Sequence, residues 1–176
     1  MIKIFISLLL VISLSYSFDK DQMDIIRKSY NIGKLIKAKD GMTFENTLAS
    51  ISFTESSAGK YIIGDKFTKH LKDSSLGVYQ IRLKTAKWLI KSDPWLRKNF
   101  TYLLKDDNRL ISMILRREEF GALLAGHLLK IWYNYALKKD IKNPWFYAVS
   151  RYNGGVHNTV YVARIRKNIK LIKKII

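Results

Sequence analysis

Hydrophobic and polar residues recur with helical spacing along most of this chain. Apolar side chains three or four positions apart predict an amphipathic helix near residue 30 and another at the carboxyl end. Their apolar positions are Ile25, Ile26, Tyr30, Ile32 and Ile36 in the first helix, and Val160, Ile165, Ile169, Ile172 and Ile176 in the last. We expect the last helix to pack on the core rather than to lie on a membrane surface.

Capping residues and the two prolines predict where the intervening helices begin and end. Asp and Asn accept hydrogen bonds at a helix start, and Pro fits the first helical position. The expected helices run from a Thr43 cap to about Thr54, over 78–90, from Asp93-Pro94, over 109–137 behind a capping cluster at 106–108, and from Asn143-Pro144 to Asn153-Gly154-Gly155.

The stretch 58–75 is loop-like and interrupts this helical pattern. Within it, Tyr61-Ile62-Ile63 predicts a short strand. No internal repeat or flexible linker divides the chain. The pattern therefore predicts a mainly α, single domain over residues 18–176, with a short β element after the second helix.

Residues 1–17 have the layout of a secretory signal peptide. Lys3 precedes an apolar run over 4–14, and small residues at 15 and 17 suit cleavage before Phe18. The run is shorter than the roughly 20 residues of a membrane span, although an uncleaved anchor is the alternative. We therefore expect a periplasmic or secreted protein.

The chain has no cysteine. This excludes a lipoprotein anchor, disulfide bonds, a catalytic thiol and thiolate metal sites. His70, His127 and His157 lack the close spacing of metal ligands. We expect neither a metal nor a cofactor.

Basic residues outnumber acidic ones by 32 to 14, a formal charge of +18. Such a charge favours a polyanionic partner, which leaves nucleic acid, anionic lipid and the bacterial cell wall. The export signal argues against nucleic acid and leaves at most peripheral membrane contact. The alternative is compositional, because Lys, Ile and Asn are abundant throughout.

Glu55 is the candidate for acid–base chemistry. Leu48, Ile51 and Glu55 share one face of the second predicted helix, and Glu55 lies at its carboxyl end. Burial beside apolar side chains and the negative end of the helix dipole both raise a carboxyl pKa. A carboxylic acid that stays protonated can protonate a glycosidic oxygen. The alternative is an exposed Glu at a frayed helix end.

Three motifs follow Glu55 in order. Glu55-Ser56-Ser57 precedes Gly77-Val78-Tyr79-Gln80-Ile81, and Tyr152-Asn153-Gly154-Gly155 comes last. They resemble the Glu-Ser, Gly-Leu-Met-Gln-Ile and Ala-Tyr-Asn-Ala-Gly motifs of the soluble lytic transglycosylase family. Residues 125–128 and 159–162 resemble the family's Gly-x-x-Tyr-Leu and Tyr-Val segments. The resemblance covers about residues 44–165.

The resemblance implies a lysozyme-like fold and cleavage of the β-1,4 bond between N-acetylmuramic acid and N-acetylglucosamine in peptidoglycan, with a 1,6-anhydromuramyl product. Glu55 would act first as acid and then as base, and Tyr152 would hydrogen-bond it. The remaining motif residues would contact substrate or shape the cleft, and they are Ser56, Gly77, Tyr79, Gln80, Asn153 and Gly154. By family analogy, an envelope-spanning secretion, pilus or flagellar assembly is a candidate partner.

The chain also departs from the family pattern. Tyr79 replaces Met, Arg82 stands where Met-Pro is frequent, His127 replaces a Tyr, and His157 stands where many members carry a second Glu. Glu55 and Gln80 are 25 residues apart, so 60–73 is an insertion relative to the family.

Three other functions stay open. A hydrolytic lysozyme needs a second carboxylate, for which Asp65 and Asp73 are the near candidates, although loop Asp residues more often form turns. The lone-acid pattern favours the lyase. The other two are a non-catalytic wall-binding or assembly protein, and a cationic protein that binds lipid or nucleic acid.

Overall fold

The computed structural model describes residues 18–65 and 70–176, so the predicted signal peptide lies outside the described residues. Within these ranges the chain is mainly helical, as predicted. Its α-helices are α1 Lys20–Leu35, α2 Glu45–Ser56, α3 Leu83–Ser92, α4 Pro94–Phe100, α5 Asp107–Arg116, α6 Glu118–Lys138, α7 Pro144–Tyr152 and α8 Thr159–Ile172. Short 3-10 helices cover Leu71–Asp73 and Thr101–Lys105, and the strands are β1 Ser75–Leu76 and β2 Ile81–Arg82.

Helix α2 lies at the centre of one half of the core. It packs between α1 and α8, and most of its side chains are buried, including Leu48 and Ile51. The helix ends where Ser57 takes a left-handed conformation, with a φ of 53°. Gln22 of α1 donates a 2.8 Å hydrogen bond to the Ser57 carbonyl, which attaches this end of α2 to α1.

Helix α6, of 21 residues, forms the centre of the other half of the core. It packs against α1, α5 and α7, and both Leu124 and Leu129 are fully buried. The side chains around α2 and α6 join in one hydrophobic cluster that reaches α8 through Val162 and Ile165. In the described part of the chain, no helix combines the length and apolarity needed to cross a membrane.

The helix predicted over 78–90 is wrong in its first part, because α3 begins only at Leu83. Residues 75–82 form an antiparallel hairpin instead, with Leu76 opposite Ile81. Gly77 and Gln80 have φ angles of 70° and 49°, which a right-handed helix excludes. The strand predicted over 61–63 is reduced to a single bridge between Ile63 and Leu76.

Two other predicted boundaries are corrected. The helix expected over 109–137 is two helices, because Arg117 has an extended backbone, with φ −119° and ψ 93°. Helix α2 starts after Phe44 rather than Thr43, because Thr43 pairs with Lys37 in a β-bridge and Phe44 donates to the Gly33 carbonyl.

Local capping signals are confirmed at three helix starts. Asp93 accepts hydrogen bonds from the amides of Trp95 and Leu96, with Pro94 at the first helical position. Asp106 caps α5, and Asn143 caps α7. Helix α7 also ends where Asn153-Gly154-Gly155 predicted.

Candidate functional site

Glu55 lies in the last turn of α2 and is partly buried. Leu48 and Ile51, which precede it on the same face, are fully buried, so the predicted inward face is confirmed. Burial raises the pKa of the Glu55 carboxyl, although a hydrogen bond from Tyr161 and the charge of Arg164 oppose the rise. The carboxyl is therefore biased towards its protonated form by its surroundings.

Tyr161 holds the Glu55 carboxyl. Its hydroxyl donates a 2.5 Å hydrogen bond to Glu55 Oε1 from the first turn of α8, and its side chain is 5% exposed. Burial, followed by the nearby Glu55 charge, raises the pKa of Tyr161 well above its ordinary value. Tyr161 thus remains a neutral hydrogen-bond donor at any physiological pH.

The expected hydrogen bond from Tyr152 to Glu55 is replaced by this one. The Tyr152 hydroxyl donates instead to the backbone carbonyl of Tyr79, at 2.8 Å, and so ties the end of α7 to the turn of the hairpin. Tyr152 nevertheless lies close enough to Glu55 to be affected by its charge. Burial and then the Glu55 charge raise the pKa of Tyr152 well above its ordinary value. Tyr161 belongs to the motif at 159–162, but the sequence did not predict its hydrogen bond to Glu55.

A polar cavity of about 580 Å³ opens in front of Glu55. It brings together five of the predicted site residues from α2, the hairpin, α7 and the loop after α7. Those five are Glu55, Gln80, Tyr152, Asn153 and Gly154, and the remaining lining residues are Asp65, Ser75, Ile81, Arg82, Thr85 and Leu128. A cavity of this size and polarity suits a polar ligand of a few rings.

Gln80 is held in place on the cavity wall. Its side-chain amide nitrogen donates to the carbonyls of Tyr61 and Gly77, at 3.1 and 2.9 Å. These two bonds fix the orientation of the amide. Its oxygen is a hydrogen-bond acceptor and could accept a hydrogen bond from a ligand. Gln80 therefore joins the insertion at Tyr61 to the hairpin turn.

Ser56, Gly77 and Tyr79 are not among the residues that line this cavity. The Ser56 hydroxyl donates to the Ser52 carbonyl and accepts from the Gly59 amide, which builds the turn after α2. Gly77 is buried against α5, where an added Cβ would lie 2.4 Å from the Ile114 carbonyl oxygen.

Tyr79 is a core residue. Its side chain is 1% exposed, and its hydroxyl lies 2.6 Å from that of Ser29 on α1. The ring packs beside Gly121 of α6. The Tyr79 side chain therefore contributes to the packing behind the cavity rather than to its surface.

Asp65 and Arg82 lie side by side on the wall of this cavity. Asp65 Oδ2 accepts from the Ser75 hydroxyl at 2.9 Å and from Arg82 at 3.1 Å. The Ser75 hydrogen bond, with help from the Arg82 charge, holds the pKa of Asp65 below its ordinary value despite some desolvation. The cavity thus contains one carboxyl biased towards protonation and one biased towards ionisation.

A smaller cavity of about 180 Å³ lies on the other side of Glu55. Its wall includes Tyr161, Arg164 and Asn158, and the Asn158 amide donates to Asn153 at 2.9 Å. Glu55 therefore borders two cavities, with Arg82 in the wall of the larger one and Arg164 in the wall of the smaller one. Among residues 18–65 and 70–176, no cluster of His, Asp or Glu is suited to hold a metal ion.

Comparisons of this chain with protein-family models, with curated proteins and with solved structures found no match. The geometry of the site itself indicates which chemistry it can support. That geometry supplies a proton donor, a tyrosine that orients it, and an amide-lined polar cavity, which together suit acid-assisted cleavage of a polar substrate.

Proposed function

We propose that this chain is a lysozyme-like peptidoglycan lytic transglycosylase. The observation that carries the proposal is Glu55, a carboxyl with a raised pKa that faces a polar cavity shared with Gln80, Tyr152 and Asn153. The ordered motifs of the sequence resemble that family at four of these cavity positions. A glycosidic oxygen needs such an acid, because an alkoxide is a poor leaving group.

In the proposed reaction Glu55 acts twice. Its proton passes to the glycosidic oxygen while the bond to the muramyl C1 breaks, and the substrate's acetamido group stabilises the positive charge at C1. The resulting Glu55 carboxylate then takes the proton of the muramyl 6-hydroxyl, whose oxygen bonds to C1 and closes the 1,6-anhydro ring. Glu55 ends protonated, and no water is consumed.

Tyr161 supports both steps without changing its own charge. It donates to one carboxyl oxygen, Oε1, and leaves Oε2 to carry the transferred proton. The same bond stabilises the carboxylate formed after the first step, because hydrogen bonds to a charged group are stronger than those to a neutral one. We therefore assign Tyr161 as the residue that positions Glu55.

Hydrolysis of the same bond is the second candidate, and Asp65 favours it. Asp65 lines the same cavity as Glu55 and is held ionised by Ser75 and Arg82. An inverting glycosidase uses a second carboxylate to activate water. Under this mechanism Asp65→Asn abolishes cleavage. Under the transglycosylase mechanism the same variant still forms the anhydro product.

The proposed substrate also implies a place of action. We propose export through a signal peptide over residues 1–17, with the mature chain starting at Phe18. Asp19, the next residue, already caps α1 through a hydrogen bond to the Gln22 amide. Amino-terminal sequencing of the exported protein checks this, and an uncut chain contradicts it.

The test of the proposed function is the product of purified peptidoglycan digestion. We expect the wild-type protein to release 1,6-anhydromuropeptides, identified by mass spectrometry, and Glu55→Gln to release none while it stays folded. Reducing muropeptides in place of anhydro ones identify the hydrolase. Release of either product by Glu55→Gln contradicts the role of Glu55, and no product from the wild type favours a non-catalytic wall-binding protein.

A further inference from the structure

Four aromatic side chains form a surface that the reaction at Glu55 does not use. We call Trp88 of α3, Trp132 and Tyr135 of α6, and Tyr147 of α7 the aromatic shelf. Trp88 stacks on Trp132 at 6.0 Å between ring centroids and 19° between planes, and Tyr135 stacks on Tyr147 at 5.8 Å and 19°. Trp132 meets both tyrosines edge-on, so the four rings are continuous.

Two of the four shelf rings are exposed to solvent. Trp88 is 40% exposed and Tyr135 is 43% exposed, whereas Trp132 and Tyr147 are partly buried. Arg151 lies 4.3 Å from the centroid of the Trp132 ring and fixes that ring by a cation–π contact. Exposed apolar side chains that form one continuous patch often mark a ligand-binding surface.

Helices α3 and α6 each contribute one residue to the Glu55 cavity and also contribute to the shelf. Thr85 and Leu128 line the cavity. Trp88 follows Thr85 by three residues on α3, and Trp132 follows Leu128 by four residues on α6, so each lies on the same helix face about one turn of 5.4 Å further on. A linear ligand that leaves the cavity between α3 and α6 therefore reaches the shelf.

The chemistry of the shelf matches sugar rings that carry anionic groups. Trp and Tyr rings offer a flat apolar face and a polar edge, as a pyranose does. Trp88 also borders a cavity of about 560 Å³ with an excess of positive charge. Its charged residues are Lys72, Lys84, Lys87, Lys91 and Asp73, of which Lys87 is also paired with Asp107. A second copy of this +18 chain would bring like charge to that cavity, whereas the peptide carboxylates of a peptidoglycan strand would complement it.

We infer that the aromatic shelf binds the peptidoglycan strand beyond the sugars held in the Glu55 cavity, and so selects long strands over short fragments. The inference rests on the proposed function for the identity of the strand. The shelf itself is defined by its ring contacts and by its position about one helical turn beyond Thr85 and Leu128.

The test compares fragment lengths in the Glu55→Gln background, where substrate is not consumed. Soluble peptidoglycan fragments of one disaccharide unit and of several units are titrated against Glu55→Gln alone and with Trp88→Leu and Tyr135→Leu added. We expect the dissociation constant of the long fragments to rise about tenfold, because two ring contacts are lost, and that of the single unit to change little. The matched control is Trp95→Leu, which removes a tryptophan of 45% exposure from α4, where it packs on His127 and Phe100.

Each outcome separates the shelf from the proposed function. Equal affinity for long fragments with and without the shelf rings, or an equal loss in Trp95→Leu, overturns the shelf, even when the wild type cleaves peptidoglycan. A length-dependent loss supports it, even when no cleavage product is found and the proposed function fails. Far-UV circular dichroism and thermal unfolding of every variant show that the comparison is made between folded proteins.

Discussion

At the residue scale, the pKa of Glu55 is set by opposing contributions. Burial raises it, whereas the Tyr161 hydroxyl and the Arg164 charge lower it. A general acid works best when its pKa lies near the working pH, so too little or too much burial would impair it. The pair formed by Glu55 and Tyr161 is thus the adjustable part of this site.

Tyr161→Phe tests that pair directly. Removal of the hydroxyl takes away a bond that lowers the Glu55 pKa, so the pKa rises further and Glu55 keeps its proton to higher pH. We expect the alkaline limb of the pH–rate profile to move to higher pH and the maximal rate to fall about tenfold, which is typical of one lost hydrogen bond to a charged group. The rate of peptidoglycan digestion as a function of pH measures both.

Tyr152→Phe is the control for that measurement. Its hydroxyl bonds the Tyr79 carbonyl rather than the carboxyl, so its loss weakens the attachment of α7 to the hairpin without moving the alkaline limb. An unchanged pH profile in Tyr161→Phe, or the same shift in both variants, would show that Tyr161 does not tune Glu55.

The site residues that could be predicted from the sequence were those placed by the spacing of residues within one helix. Glu55 was assigned correctly to a buried helix face because Leu48 and Ile51 precede it at helical intervals. The sequence could not show that Tyr161, rather than Tyr152, hydrogen-bonds Glu55, because this depends on how α7 and α8 are placed relative to α2. Asp65 likewise reaches the cavity through the folding of a loop that has no periodic pattern.

At the element scale, Asp93 joins α4 to α6. Its carboxylate caps α4 and lies 2.8 Å from His127 Nδ1 and 3.0 Å from Lys130 Nζ, with only 3% of its side chain exposed. Burial raises the pKa of Asp93, but its contacts with His127, the Leu96 amide and Lys130 outweigh burial and leave the pKa below the ordinary value. Burial likewise lowers the pKa of His127, against the effect of Asp93.

Asp93→Ala is therefore expected to lower the free energy of unfolding by about 3–5 kcal/mol, as when one partner of a buried ion pair is removed. Urea unfolding measures the change, and Asp93→Asn, which keeps an oxygen for the cap, should lose less. Because the folded pKa lies below the unfolded value of about 3.8, the contribution of Asp93 is present above that pH and disappears as the pH falls through the folded pKa. A wild-type-like unfolding curve for Asp93→Ala at neutral pH would contradict this role.

The hairpin turn depends on Gly77. Its φ of 70° is costly for a residue with a Cβ, and an added Cβ would lie 2.4 Å from the Ile114 carbonyl oxygen. We expect Gly77→Ala to lower the free energy of unfolding by about 1–3 kcal/mol and to weaken substrate binding, because Gln80 Nε2 bonds the Gly77 carbonyl. Thermal unfolding and fragment binding measure the two effects.

The comparison for Gly77 is Gly154→Ala. Gly154 also has a positive φ, 82°, but no atom lies within 4 Å of an added Cβ, so only the conformational cost applies. A loss in Gly77→Ala no larger than that in Gly154→Ala would show that the contact with Ile114 is relieved by movement of the turn.

Boundaries set by capping chemistry were predictable, and those set by tertiary packing were not. Asp93, Asp106 and Asn143 act on amides two or three residues away, so the sequence contains the whole interaction. The predicted helix over 78–90 wrongly includes residues 78–82 of the hairpin, because their burial depends on contacts with α1, α5 and α6 that the sequence pattern does not show. The break at Arg117 has no Pro or Gly to signal it.

At the scale of the whole molecule, the net charge attracts a polyanion over a longer distance than the residues of the Glu55 cavity can contact a substrate. The chain carries a formal +18, and α8 contributes exposed Lys167 and Lys170 outside the Glu55 cavity. Exposed charges attract a polyanionic wall over about a Debye length, which falls from about 10 Å at 0.1 M salt to about 3 Å at 1 M. Gln80 and Asn153, which line the cavity, are uncharged, so we expect salt to affect their contacts with a substrate little.

We therefore expect salt to separate retention on the wall from catalysis. Binding of Glu55→Gln to whole peptidoglycan sacculi should weaken about tenfold between about 0.05 and 0.5 M salt, because screening removes the long-range attraction. Cleavage of short soluble fragments by the wild type should change much less over the same range. Lys167→Glu combined with Lys170→Glu should flatten the salt dependence of sacculus binding and leave fragment cleavage unaltered. Sacculus binding that resists salt would show instead that the cleft and the aromatic shelf, rather than the net charge, hold the protein on the wall.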